Sequence, residues 1–350
     1  MTRLSTRCIL ALTLCLAVAS SATMAQQPGP EDQAIDQIRQ LPTIGANDQQ
    51  RINDWINAQV GKFTDFNAFR KRISDQFTHA NNSSQFPAAL ATQTAVVAAA
   101  QAAAPDMNLR LARAIAQSLY DMNLPETFPG LIALLGSKDA ATRYLCASGL
   151  SMRSVKRAIA ADKAKLDRTV AALRTVGSTE TDPVVVGRIY EALAFPSQTA
   201  DVFDAYLALL DHRLTARRRP GSVADGAEQF AYAFFLEPNV VAALNANQKA
   251  ELAKRMAVLM RLDAQRYIAL NLNFSEADRI ERTLWSAEEL LSGSAMLGST
   301  AGKIRKALQA GGQKNSAAVL EEVYKWVGHP ASNIPGALNA APWDVPIGAP

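Results

Sequence analysis

Histidine and cysteine are nearly missing from this chain of 350 residues, with three of each, and aromatic residues make up only 7%. The histidines, His79, His212 and His329, lie far apart in sequence. No His-Glu-x-x-His or paired-cysteine spacing occurs, so nothing points to a zinc site. No Gly-x-Ser-x-Gly elbow is present. Neither sign of charge dominates: 36 basic residues face 32 acidic ones. Few aromatic residues and abundant alanine favour helix over strand. No period-two run is long enough to support a sheet. Hydrophobic residues at 49% are nevertheless enough for a sizeable core.

Long apolar runs are also scarce. Ile9–Ala19 spans eleven residues, too few to cross a bilayer of about 30 Å. It follows Arg3 and Arg7 and precedes Ala22-Thr23-Met24-Ala25, the pattern of a cleaved signal peptide over residues 1–25. Leu14 before Cys15 does not fit a lipidation signal. Removing the leader lowers the net charge from +4 to +2, which sets aside nucleic acid as a partner. Cys8 and Cys15 leave with it, so Cys146 has no partner for an intrachain disulfide. The periphery of the cell, periplasmic or secreted, is the expected location, with no membrane span after cleavage.

Helical patterning then runs almost unbroken. Residues 26–121 read as a linker and an N-terminal helical region, with Trp55, Ile56 and Val60 on one helix. Phe63, Phe66, Phe69, Ile73 and Phe77 make a second stripe. Ten of the seventeen residues from Ala88 to Ala104 are alanine. Gln93 and Gln101 interrupt that stretch, and small side chains suit close helix packing better than a membrane. Val184-Val185-Val186 could start a strand, but Asp182-Pro183 before it is a helix N-cap followed by proline at the first helical position. Residues 329–350 carry five prolines and read as an extended tail, with Trp343 positioned to pin it to the body.

An internal repeat organises residues 122–328. Segments Asp139–Leu150, Asp182–Leu193 and Asp225–Leu236 align without gaps, their aspartates 43 residues apart both times. Each follows an apolar helical stretch, so each unit reads as helix, turn, capping aspartate, helix. Two-helix solenoid repeats have periods of about 40–47 residues. Gly136-Ser137-Lys138-Asp139 with Arg143, Ala147 and Leu150, and Asp182-Pro183 with Glu191-Ala192-Leu193, resemble the turn and second helix of HEAT repeats. The resemblance implies an all-α superhelix of helical hairpins that binds other macromolecules. It also places Arg143 at the ladder-arginine position, where the later units have Val186 and Gln229.

Candidate chemistry is sparse. Gly298-Ser-Thr-Ala-Gly302-Lys303 is one residue short of a phosphate loop and reads as a helix break. Cys146 reads as a small core residue, and Glu288-Glu289 and Glu321-Glu322 as surface pairs. Phe230, Tyr232, Phe234 and Phe235 read as core packing, with an aromatic peptide groove as the alternative. Arg213, Arg217, Arg218 and Arg219 before Pro220-Gly221 suggest a basic inserted loop, with Lys156 and Arg157 nearby in sequence. Guanidinium groups suit carboxylates and phosphates. The expected function is therefore non-catalytic binding of a protein or cell-envelope polymer, with Arg143, Arg188, Arg213, Arg217, Arg218 and Arg219 as contact residues and no cofactor or metal. The competing expectation is a polysaccharide lyase or hydrolase on an α/α toroid, with Tyr190, Glu191 and His212 gathered in a cleft. A structural module that pairs with a second copy through an open end of the stack is a third.

Overall fold

The computed structural model describes residues 30–219, 221–268 and 272–347. The expected signal peptide and linker, Pro220 and Pro350 fall outside the described residues. Among the described residues the protein is all-α, with sixteen α-helices and no strand beyond one isolated bridge, His329 to Ile334. The N-terminal helices are α1 (Pro30–Ile38), α2 (Ala46–Gly61), α3 (Phe66–Phe77), α4 (Phe86–Ala103) and α5 (Leu109–Met122). The repeat region holds α6 (Phe128–Leu134), α7 (Ala140–Ser151), α8 (Arg153–Ala160), α9 (Lys163–Gly177), α10 (Pro183–Leu193), α11 (Thr199–Arg217) and α12 (Glu228–Phe235). Then come α13 (Ala246–Tyr267), α14 (Phe274–Ser292), α15 (Ile304–Gly311) and α16 (Ser316–Val327). Within the described residues no helix is long and apolar enough to cross a membrane.

Short polar side chains start many of these helices. Asp139 accepts from Thr142 N at α7, and Asp182 from Val184 N and Val185 N at α10. Each satisfies donors that the first helical turn leaves open. The valine triplet is therefore helical, as its cap requires. The third unit departs from the pattern. α12 begins at Glu228, and Asp225 stands before Gly226, whose φ of +74° turns the chain. Asp225 still accepts from Ala227 N, but its carboxylate also binds Arg213.

Most helices pack on their next-but-one neighbours. One row, the second, runs α3, α5, α7, α10, α12, α14, each against the next. In the other, α2 packs on α4 and α4 on α6, and then α9 packs on α11, α11 on α13 and α13 on α16. Helix α8, between α7 and α9, fills the step between these two runs. Consecutive helices such as α4 and α5, or α6 and α7, join the rows. The packing continues without interruption across residues 121 and 122, through α4 on α6 and α5 on α7.

Alanine and glycine let the helices approach. A Cβ on Gly130 of α6 would lie 2.8 Å from the Ala95 Cα of α4, so the alanine-rich helix and its neighbour meet backbone to backbone. Where more volume must be filled, aromatics do it. Tyr206 stacks on Tyr190 with ring centroids 5.6 Å apart and on Phe234 at 4.5 Å. Tyr232 and Phe235 are buried with them, whereas Phe230 is half-buried. The proline-rich tail folds back through buried Leu338, Trp343 and Val345, and its Ala337–Asn339 turn packs on α13 and α16.

Candidate functional site

The arginines expected at the surface divide into four groups. Arg143 on α7 binds Glu180, which precedes α10. Its Nε donates to Oε2 at 2.6 Å and its Nη2 to Oε1 at 2.9 Å. Burial acts to raise the Glu180 pKa, but the Arg143 hydrogen bond and backbone donors outweigh it and hold the carboxyl below its ordinary value. One unit earlier, Arg113 on α5 grips Asp139 with two hydrogen bonds of 3.0 and 2.6 Å. Burial opposes ionisation of Asp139 too, yet Arg113 and Thr142 bring its pKa down to about 2. An arginine on one second-row helix thus binds the acid ahead of the next, twice in succession. Arg113 was not among the residues singled out by the repeat, because its own unit starts at Asn108 rather than at an aspartate 43 residues upstream.

Arg213 and Arg217 depart from the expected basic loop. Both lie in α11, 4% and 8% exposed. Arg213 binds Asp225 at 2.5 Å and Glu228 at 2.8 Å, and Arg217 pairs with Asp263. A cation taken from water persists only when paired, so these two arginines hold α11 to α12 and α13 and are not available to a partner. Arg218 and Arg219, just past the helix, remain exposed.

Arg188 joins a groove. It pairs with Glu191 at 2.5 Å and lies over the Tyr144 ring, 5.3 Å from its centroid. With Val184, Phe230 and Arg279 it lines a cavity of about 170 Å³ where α10, α12 and α14 follow one another. Val184 is 62% exposed there. The structure therefore brings together Arg188, Phe230 and Asp225 from the sequence candidates and adds Arg279 from beyond the recognised repeat.

A larger cleft, about 340 Å³, opens between α14 and α15. Arg305 stacks on Trp285 at 3.9 Å, and Glu289, Lys303 and Lys306 share the walls. Glu288 does not lie on the surface as expected. It is buried and accepts from Ile304 N at 2.7 Å and Arg305 N at 2.8 Å, capping α15. Its carboxylate fills the place at the helix N-terminus that a phosphate would need. Gly302 has a packing role: a Cβ there would lie 2.3 Å from the Glu322 carbonyl oxygen on α16.

The residues of the toroid expectation are kept apart in function. Tyr190 is fully buried, the Glu191 carboxylate is taken by Arg188, and His212 Nε2 lies 3.2 Å from the Glu180 backbone oxygen. No substrate reaches the Tyr190 hydroxyl without opening the core. Cys146 is fully buried, and burial pushes its thiol far up, away from thiolate chemistry. Lys156 is the most perturbed amine: burial lowers its pKa to about 8, and its Nζ donates to the Glu191 backbone oxygen at 2.7 Å beside the Phe195 ring. Among the described residues no group of three or more His, Cys, Asp and Glu could hold a metal ion. Compared with protein-family models, curated proteins and solved structures, the chain matches none of them.

Proposed function

We propose that this chain is an exported, non-catalytic binding protein built as a HEAT-like α-solenoid. The second-row helices would present a surface for an anionic stretch of a protein or cell-envelope polymer, in the periplasm or outside the cell. One observation carries this reading: Arg188 and Arg279 border exposed Val184 and half-buried Phe230 in a groove formed by three successive second-row helices. Apolar floor and cationic rim are the combination that contacts a partly hydrophobic acidic ligand. The contact set of the sequence is thereby reduced. Arg188 stays, Arg279 joins it, and Arg143, Arg213 and Arg217 serve the stack.

The test is equilibrium binding of the purified chain to polyglutamate, peptidoglycan fragments and an acidic polysaccharide. The Arg188→Glu/Arg279→Glu double variant should bind the favoured ligand at least about tenfold more weakly, the loss of one strong charged contact. Equal binding by the variant would refute the groove. Turnover of the polysaccharide, abolished by Glu289→Gln in the α14–α15 cleft, would favour the enzyme instead.

A further inference from the structure

The cleft between α14 and α15, about 340 Å³, plays no part in the binding proposed above. One wall, formed by α15 and the residue before it, carries Lys303, Arg305 and Lys306. The α14 wall carries Trp285, Glu289 and Ser292. The backbone beneath the cations is fixed. Lys303 N donates to Glu322 Oε2 at 2.7 Å, Ile304 N to Glu288 Oε1 at 2.7 Å and Arg305 N to Glu288 Oε2 at 2.8 Å. The Arg305 side chain is fixed as well, because its guanidinium lies 3.9 Å from the Trp285 ring centroid. Stacking covers the face of the guanidinium plane and leaves its N–H edge for an acceptor. Lys303, Arg305, Lys306 and Glu289 are all exposed. Among the described residues their side chains form no hydrogen bond and no ion pair. Glu322, whose charge reaches Lys303, is itself paired with Lys325 at 2.7 Å.

Carboxylates already take the backbone donors at the start of α15, so an anion entering this cleft meets side chains and not the helix N-terminus. Three cations line the cleft against two carboxylates, and one of those, Glu288, has both oxygens committed to the backbone. An inorganic anion alone would leave Glu289 facing a like charge. A ligand with hydroxyls beside its anionic group suits both walls. We infer that the cleft binds a hydroxylated acid of monosaccharide size, a sugar carboxylate or a sugar phosphate. The fork of Arg305 would take two oxygens of the anionic group, with Lys303 and Lys306 adding charge. Glu289 and Ser292 would accept from the hydroxyls. Small-ligand cavities start at about 300 Å³, which suits one sugar ring. Because Trp285 holds the fork before the ligand arrives, less side-chain freedom is lost on binding. The cleft shares no lining residue with the groove at Arg188 and does not depend on the function proposed for it.

The experiment is titration calorimetry of the full chain with glucuronate, glucose monophosphate, glucose and inorganic phosphate at matched ionic strength. The wild type should bind at least one of the two sugar acids, and the tighter of them identifies the anionic group as carboxylate or phosphate. Glucose and inorganic phosphate each lack half of the match and should bind about tenfold or more weakly. Arg305→Gln, at an exposed side chain, should weaken the sugar acid about tenfold or more. Trp285→Leu keeps every charge but frees the fork, and should weaken it several-fold. The thermal midpoint without ligand checks that each variant is folded; should Trp285→Leu unfold, Arg305→Lys keeps the charge without the fork and should show the same several-fold loss. The Arg188→Glu/Arg279→Glu variant should bind the sugar acid like the wild type, which separates failure of the groove from failure of this site. No binding of either sugar acid by the wild type, equal binding by Arg305→Gln, or glucose or inorganic phosphate bound as tightly as the acids overturns the proposal.

Discussion

Removing Arg143 is the sharpest test of how α7 is joined to the segment ahead of α10. The guanidinium donates to both oxygens of Glu180 and, through Nη1, to the backbone oxygens of Ser137 and Lys138 at 2.9 and 3.0 Å. In Arg143→Ala the Glu180 side chain, 1% exposed, would lose its cation. Breaking a fully buried pair costs about 3–5 kcal/mol. Two features reduce that here. Arg143 keeps 18% of its side chain in solvent, and Glu180 retains the Thr181 and Asp182 amides, both at 3.0 Å. The expected loss is therefore roughly 2–3 kcal/mol. Urea denaturation reads it as a lower midpoint with an unchanged slope. A double-mutant cycle with Glu180→Gln should return a coupling of roughly 1–2 kcal/mol. The sign with pH also follows. The Glu180 pKa is depressed in the folded chain, so its contribution is present above the ordinary carboxylate range. It is lost as pH falls through the depressed value, so the stability gap between wild type and Arg143→Ala should narrow over that range. A loss below about 0.5 kcal/mol, the size of an ordinary surface change, would refute the ladder.

Three further outcomes are expected. Arg213→Ala should cost about 3–5 kcal/mol by stranding Glu228 and Asp225, measured by the same denaturation, whereas Arg219→Ala, exposed, should stay within about 0.5 kcal/mol. Gly130→Ala should destabilise by about 1–3 kcal/mol, because the added methyl meets the α4 backbone rather than a side chain that can turn away. Native Cys146 should resist a thiol reagent for as long as the fold persists and react promptly in denaturant; fast labelling of the folded chain would contradict its burial.

The helices were legible in the sequence because their signals are local. Asp139 and Asp182 cap the helices they precede, and the alanine-rich stretch is one close-packed helix. Signals that depend on distant partners were not legible. Arg217-Arg218-Arg219-Pro220-Gly221 has the composition of a solvated loop. Yet Arg217 lies inside α11 and its partner, Asp263, comes from α13, 46 residues later. Arg213 finds Asp225 only because Gly226 turns the chain and sets that aspartate ahead of the helix start. Glu288 and Glu289 are adjacent, so they point apart: one caps α15 and the other faces the cleft. Helix α8 escaped notice because nothing in the 43-residue spacing calls for a third helix within the first unit. Arg279 and Arg305 lie beyond the recognised repeat, and only the packing of α14 on α12 and α15 gives them neighbours worth naming.

The proposed binding surface requires the second-row helices to form an open line rather than a closed ring. Spin labels at exposed Arg110 on α5, Val184 on α10 and Arg279 on α14, with Cys146 replaced, measure it directly. Packed helices lie about 8–10 Å apart, so two steps from α5 to α10 should give roughly 20 Å and four steps to α14 clearly more, approaching 40 Å. A distance from Arg110 to Arg279 equal to or shorter than that from Arg110 to Val184 would contradict the stack and point to a toroid.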